Sequence, residues 1–229
     1  MIKFPNVLKT LLKTTCVLGA VVLAYSQCLA KAQSTSTIKP AYHKRFTNAN
    51  EWTKVFDDSA RDEWQKPNAV IKALDIKDND RIADIGAGTG YFSARIAKAY
   101  PKATVYAVDF ENDMIKFLNK LAKHEKLTNL KAIKTNMNKL ELPEPVDIVI
   151  IVDTYHHIDK RIEYLKNLKT CLNLQAKVVD IDFNQSSPMG PPLKHRLSEV
   201  EVINEFKQAG FKLIAKETFL PNQYFLIFQ

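Results

Sequence analysis

Apolar positions change their period along the chain, and the changes predict its elements. Short runs rich in β-branched and aromatic residues fall at Arg81 to Ile85, Thr104 to Phe110, Leu130 to Thr135, Val146 to Val152, Ala176 to Phe183, Phe211 to Leu220 and Gln223 to Phe228. These read as strands. Between them, Gly90 to Ala99, Asn112 to His124, Asp159 to Leu172 and Ser198 to Ala209 repeat apolar residues at steps of three and four, the spacing of a helix face. The last helix is marked at both ends, since Ser198 with Glu201 makes a capping box and Gly210 supplies a left-handed stop. Alternating strands and helices predict an α/β domain: a mostly parallel, seven-stranded sheet with helices on both faces. Only Pro221 and Asn222 separate the final two strands, so they form a terminal hairpin and the last strand runs antiparallel.

The first 32 residues follow another pattern. A lysine-bearing start, Met1 to Lys13, precedes the apolar stretch Cys16 to Tyr25, and Ala30-Lys31-Ala32 then offers small residues for a signal peptidase. The expectation is export to the periplasm with cleavage after Ala32. An uncleaved membrane anchor is the alternative: the stretch is shorter than the roughly 20 residues of a spanning helix, but Lys31, Lys39, Lys44 and Arg45 beyond it give a positive-inside argument. Residues 33–65 read as a polar linker and a helical arm, in which Trp52, Phe56, Arg61, Trp64 and Gln65 form either a lid over a cleft or an amphipathic segment packed on the sheet edge. Residues 66–229 are the main domain.

Charge and cysteine content change this picture little. The net charge is +8, and Lys3, Lys9, Lys13 and Lys31 of the leader account for half of it. The other lysines are scattered among acids, with no basic run carrying interleaved aromatics, so no nucleic-acid partner is expected. Cys16 and Cys28 would leave with the leader, and Cys171 alone makes no internal disulfide.

The chemistry begins at the first strand. Ile82-Ala-Asp84-Ile-Gly86-Ala-Gly88-Thr-Gly90-Tyr91-Phe92 turns sharply through three glycines into a helix, at the strand end where open α/β sheets bind ligands. Glycines let the backbone approach a ligand closely, and free amides at a helix start attract anions. A dinucleotide fingerprint would read Gly-x-Gly-x-x-Gly, whereas here the third glycine comes one residue early and Tyr91 fills its usual place, which counts against a nicotinamide-dependent oxidoreductase. Asp109 ends the second strand, where a carboxylate accepts both hydroxyls of a ribose, and neighbouring Phe110 is placed to pack on an adenine.

On Asp84-x-Gly86-x-Gly88-x-Gly90, Asp109 and the terminal hairpin, residues 66–229 resemble the class I methyltransferases that use S-adenosylmethionine. The resemblance implies a Rossmann-like fold with a reversed seventh strand, a glycine turn beneath the amino-acid part of the cofactor, and an acid holding its ribose. Asn136 stands where the family often has an acid for the adenine amino group, and Gln175-Ala176 replaces a common glycine pair. The chain also looks like a group of exported bacterial methyltransferase-like proteins, through His43-Lys-Arg-Phe46, Arg61-Asp-Glu-Trp64-Gln65-Lys66-Pro67, Asp153-Thr-Tyr155-His156-His157-Ile158, Gly190-Pro-Pro192 and Gln223-Tyr224-Phe225.

Methyl transfer asks an enzyme to align a nucleophile, exclude water and sometimes remove a proton. The residues just past the fourth strand suit that work. Asp153 is a candidate for the cofactor's methionine end, and Tyr155, His156 and His157 are catalytic candidates, one histidine serving as general base. The plainer reading has Asp153 capping the turn and both histidines bordering the cleft. Asp182 is nearer the cleft than Asp180 on the same strand side, and His195 is placed to close an acceptor pocket. Adjacent histidines on a loop rarely face one ion, so no metal site is expected. The acceptor expected is a small molecule. Because S-adenosylmethionine is made inside the cell, an exported protein that keeps the fold and binds a small ligand without turnover stands as the alternative function.

Overall fold

The computed structural model describes residues 39, 41–42, 44–136 and 139–229. The export signal or anchor read at 1–32, the linker at 33–38, His43 and Met137 lie outside the described residues. The strands are β1 (Arg81–Ile85), β2 (Thr104–Asp109), β3 (Leu130–Lys134), β4 (Val146–Val152), β5 (Leu172–Phe183), β6 (Leu213–Glu217) and β7 (Gln223–Phe228). They form one sheet in the order β3-β2-β1-β4-β5-β7-β6. The first five are parallel, and β7 runs antiparallel to both β5 and β6. This is the expected fold. From β1 the chain builds outward to β3, then crosses to β4 and builds the other way, which leaves a crevice above the carboxyl ends of β1 and β4.

Two-residue periodicity sends each strand's side chains to opposite layers. Ile82 on β1 and Ile148, Ile150 and Val152 on β4 face α3 (Pro67–Ala73), α4 (Tyr91–Ala99) and α5 (Asn112–His124). Ala83 and Ile85 of β1, with Val149 and Ile151 of β4, face α6 (Arg161–Lys169) and α7 (Glu199–Gln208). In the second layer Phe206 of α7 stacks on Phe228 of β7 with ring centroids 3.8 Å apart. Burying each such ring contributes about 2 kcal/mol.

Several boundaries differ from the sequence expectation. β5 begins at Leu172 rather than Ala176, because its register against β4 shifts between Val146 and Ile148 and the intervening Leu174 is turned out to solvent. Helix α6 starts at Arg161 rather than Asp159, since Lys160 takes a left-handed conformation with φ 44° before it. The hairpin strand β6 is shorter than expected, which lengthens the connection to Thr218 through Asn222. Helix α3 has no counterpart in the expectation; Pro67 opens it at a position where a missing N–H is harmless, and Val70, Ile71 and Leu74 are buried in the core. The capping box on α7 is present as read, Glu201 N–H reaching Ser198 Oγ at 3.3 Å and Glu201 accepting from the Ser198 N–H at 2.7 Å. Before the sheet, the arm folds as α1 (Ala49–Phe56) and α2 (Arg61–Gln65). Among the described residues no helix is long and apolar enough to cross a membrane.

Candidate functional site

The turn after β1 is shaped by its glycines. Gly86, Gly88 and Gly90 have φ of 74°, 55° and 88°, a region closed to most side chains. The N–H groups of Gly86 and Ala87 donate to the Val108 carbonyl at 2.9 and 3.0 Å, which binds the turn to β2. A Cβ on Gly86 would lie 2.2 Å from Thr154 Oγ1, so packing as well as backbone requires glycine there. Gly88 differs. Its added Cβ would meet the Phe56 ring at 3.5 Å, an ordinary contact, so the positive φ alone calls for glycine there.

Two buried carboxylates flank this turn. Asp84 accepts a 2.5 Å hydrogen bond from Ser93 Oγ, and burial pushes its carboxyl up to about 6. Asp109 accepts the N–H groups of Gly88 at 2.9 Å and Glu111 at 2.8 Å. Burial raises it too, against those hydrogen bonds. Arg45 of the arm pairs with Glu111, its Nη2 2.9 Å from Oε2, and lies 5.8 Å from the centre of the Phe110 ring.

The end of β4 forms the other half. Asp153 has φ 52° and accepts Gln223 Nε2 at 2.6 Å, while Arg61 stands 3.8 Å from its second oxygen. Burial, and then the nearby Asp182, push Asp153 up to about 7. Arg61 lies 3.9 Å over the Tyr91 ring and donates to Gln65 and to the Phe56 carbonyl, so it fastens the arm beside the glycine turn. Gln65 is fully buried and donates to Gln223 at 2.9 Å, giving an unbroken chain from arm through hairpin to β4.

A cavity of about 490 Å³ joins the two halves. Asp84, Gly86, Gly88, Asp109, Phe110 and Asn136 line one end, and Asp153, His156 and His157 line the other. The arm contributes the wall expected of a lid: Phe46, Trp52 and Phe56 form a contiguous aromatic cluster with centroid distances of 4.8 to 5.5 Å, and Trp64 meets Phe183 at 5.7 Å. Gly90 is the exception among the three glycines, since its side faces Leu118 and Leu121 in the core.

The three adjacent candidates after β4 part company. Residues 155–157 form a single 3-10 turn, whose three residues per turn point successive side chains in different directions. Tyr155 therefore leaves the cavity: it is fully buried in the α6–α7 layer and donates to Glu205 at 2.8 Å. That placement removes it from the catalytic set. His156 is buried at the cavity wall, its Nδ1 2.6 Å from Asp182 Oδ2. His157 uses its Nδ1 on the Tyr42 carbonyl, and the Tyr42 N–H donates to the His156 carbonyl at 2.9 Å, so the arm is pinned to this turn. Asp182 reaches His156 rather than the cavity, while His195 lies behind Tyr42 at 4.7 Å between rings instead of closing the pocket. Among the described residues no cluster of His, Cys, Asp or Glu is arranged to hold a metal. Tyr42 and Gln223 escaped sequence reasoning as site residues; Gln223 stands in one of the quoted motifs, while Tyr42 lies just before one and carried no signal.

Residues 76–218 match the family described as methyltransferase domain. The chain belongs to the class I, S-adenosylmethionine-dependent methyltransferase family. A crystal structure of an S-adenosylmethionine-dependent methyltransferase from Aquifex aeolicus is 25% identical, with a TM-score of 0.74 over 80% of this chain and 98% of that one. The malonyl-[acyl-carrier protein] O-methyltransferase of Bacillus anthracis is 24% identical over 65% of this chain and 55% of its own length. The ribosomal RNA small subunit methyltransferase G of Lachnoclostridium phytofermentans is 33% identical over 36% of each chain. The chain thus spans from about a third to a little over half of those curated relatives. Its residues fit the cofactor. The space that a Cβ at Gly88 would fill lies between the glycine turn and Phe56, and buried carboxylates and aromatic rings suit a ligand that carries a sulfonium and an ammonium group.

Proposed function

We propose that this methyltransferase carries a methyl group from S-adenosylmethionine to a small-molecule acceptor held in the aromatic half of its cavity. One observation carries the reading: a single cavity runs from the glycine turn and Asp109 to the arm and the β4 turn. In this reading Asp84, Gly86, Gly88, Gly90, Asp109, Phe110, Asn136 and Asp153 form the cofactor's site, Gly90 by setting the turn. When bound, the cofactor supplies an electrophilic methyl on a sulfonium. Asp109 orients the ribose, Asp153 and Asp84 offer carboxylates to the methionine ammonium, and the arm's rings exclude water while favouring positive charge.

The Ala30-Lys31-Ala32 pattern supports export with a start at Gln33, and the lysines around the apolar stretch support a retained anchor as the alternative. Intact-mass measurement of protein from a bacterial host separates them, Gln33 as first residue supporting export and a retained Met1 the anchor. Titration calorimetry with S-adenosylmethionine, S-adenosylhomocysteine and NAD tests the main reading. Binding of the first two alone is the expected result. A folded protein that binds none of them turns the reading towards an exported, non-catalytic ligand carrier.

A further inference from the structure

The β4 turn and β5 hold a pair of side chains that cofactor binding does not use. His156 retains 4% of its exposed surface and belongs to the cavity wall, and its Nδ1 meets Asp182 Oδ2 at 2.6 Å. The second oxygen of Asp182 is fixed by the Phe183 N–H at 2.8 Å, so the carboxylate is oriented from its own strand. A carboxylate at Nδ1 keeps the imidazole proton on that nitrogen and leaves the lone pair on Nε2, at the opposite edge of the ring. The neighbouring candidates are committed elsewhere. His157 Nδ1 is engaged by the Tyr42 carbonyl, and Asp153 is held by Gln223 and Arg61.

We propose that His156 is the proton acceptor of the reaction, that Asp182 positions it, and that the methyl acceptor is an aromatic hydroxyl compound; this rests on the reading of S-adenosylmethionine as methyl donor. A carboxylate acceptor arrives already ionised, and a neutral amine attacks through its lone pair before any proton leaves. A hydroxyl oxygen becomes an adequate nucleophile as its proton departs, which requires a base within hydrogen-bond reach. His156 in the cavity wall supplies such a base from the protein itself. The walls select the rest of the molecule, because Phe46, Trp52, Phe56, Trp64 and Phe183 bound the space with aromatic faces and edges suited to a flat ring. The balance is complete. The Nε2 lone pair takes the hydroxyl proton, the O–H electron pair forms the new O–CH₃ bond, and the pair of the broken C–S bond returns to sulfur. Asp182 stabilises the resulting imidazolium, which gives its proton to water once product leaves.

The groups around His156 set its titration. Burial pulls the imidazole down, but Asp182 of β5 and, further off, Asp153 at the end of β4 outweigh burial and the repulsion of Arg161 on α6, leaving it raised; His157 and the Tyr42 ring complete its surroundings. Turnover therefore rises with pH along a limb above the ordinary histidine value of about 6.5.

The test uses the full chain and 4-nitrophenol, whose phenolate absorbs visible light. With S-adenosylhomocysteine bound, wild-type protein is expected to ionise the bound probe below the pH at which the free phenol ionises. His156→Gln is expected to bind S-adenosylhomocysteine unchanged, to bind the probe as neutral phenol, and to methylate phenols from S-adenosylmethionine at least about 100-fold more slowly. Asp182→Asn should give a smaller loss confined to kcat, with the pH limb moved down. Neutral probe on wild type, ionisation kept in His156→Gln, or a cofactor-binding protein that neither binds nor methylates the phenol each overturns the proposal. Failure of wild type to bind S-adenosylhomocysteine removes the parent reading as well, and is read in the same titration.

Discussion

The two ends of the cavity are built in opposite ways. The cofactor end comes largely from one stretch, Asp84 to Gly90, braced by Asp109 on the adjacent strand through a 2.9 Å hydrogen bond to Gly88. The end proposed for the acceptor is assembled from the arm, the β4 turn and β5, braced from β7 by contacts such as Gln65 to Gln223 across 158 residues of chain. A binding function shared by many enzymes can reside in a local motif with fixed backbone geometry. The opposite end rests instead on long-range side-chain contacts, each replaceable without rebuilding the turn.

The largest effect that would sharpen this contrast is expected at Gly86. Gly86→Val places a side chain into Thr154 and forces a β-branched residue to positive φ, so cofactor binding should vanish and stability fall by about 3 kcal/mol or more in chemical denaturation. Asp109→Ala should lower cofactor affinity about 100-fold by calorimetry while the protein remains folded, given the usual value of a charge-assisted hydrogen-bond pair. Gln65→Leu cuts the chain that ties the arm to β7 and Asp153. Its expected outcome is a rise in acceptor KM of about tenfold, the loss of one buried hydrogen bond, with cofactor affinity nearly unchanged. An equal loss of both would break the division between the two ends.

Acidity gives a further measurement at the cofactor end. Asp84 is pushed up to about 6, so it is largely protonated at pH 5 and largely ionised at pH 7. If its ionised form receives the cofactor's ammonium, affinity should fall about tenfold between pH 7 and pH 5. The sign for stability is the reverse. The unliganded native state holds this proton more tightly than the unfolded chain, so stability declines as pH rises from about 4 to 6 and then levels off, a slope that Asp84→Asn should flatten. The smallest effect is expected beneath the acceptor end. Burial, Asp182 and Asp153 hold Asp180 well above the usual carboxylate range, so Asp180→Asn replaces one neutral group by another and should shift thermal stability by less than about 1 kcal/mol.

The same contrast decided what could be read from the chain. The glycine turn, the acid ending β2, the capping box on α7 and the reversed β7 were all legible, because each depends on residues within a few positions or on strand period. The turn at 155–157 was not. Tyr155, His156 and His157 are equivalent as a string, and only the tight 3-10 geometry sends the tyrosine to Glu205 and the first histidine to Asp182. Asp182 was ranked above Asp180 from strand parity and position, but its partner lies 26 residues earlier and carries no sequence mark. Tyr42 was hidden for the same reason: its carbonyl meets the His157 ring from 115 positions away.

The Gln65–Gln223–Asp153 chain also imposes an order of events on biosynthesis. The arm is made early, yet the buried Gln65 amide N–H lacks its Gln223 acceptor until the last strand has been synthesised and inserted between β5 and β6. During translation the glycine turn and the first four strands can pair, and the arm can meet Glu111, Tyr91 and the β4 turn, before this one tie to the last strand is available. The tie from arm to β7 is therefore the last to form, and a chain cut short before Gln223 would keep the glycine turn but leave Gln65 and Asp153 without their shared partner.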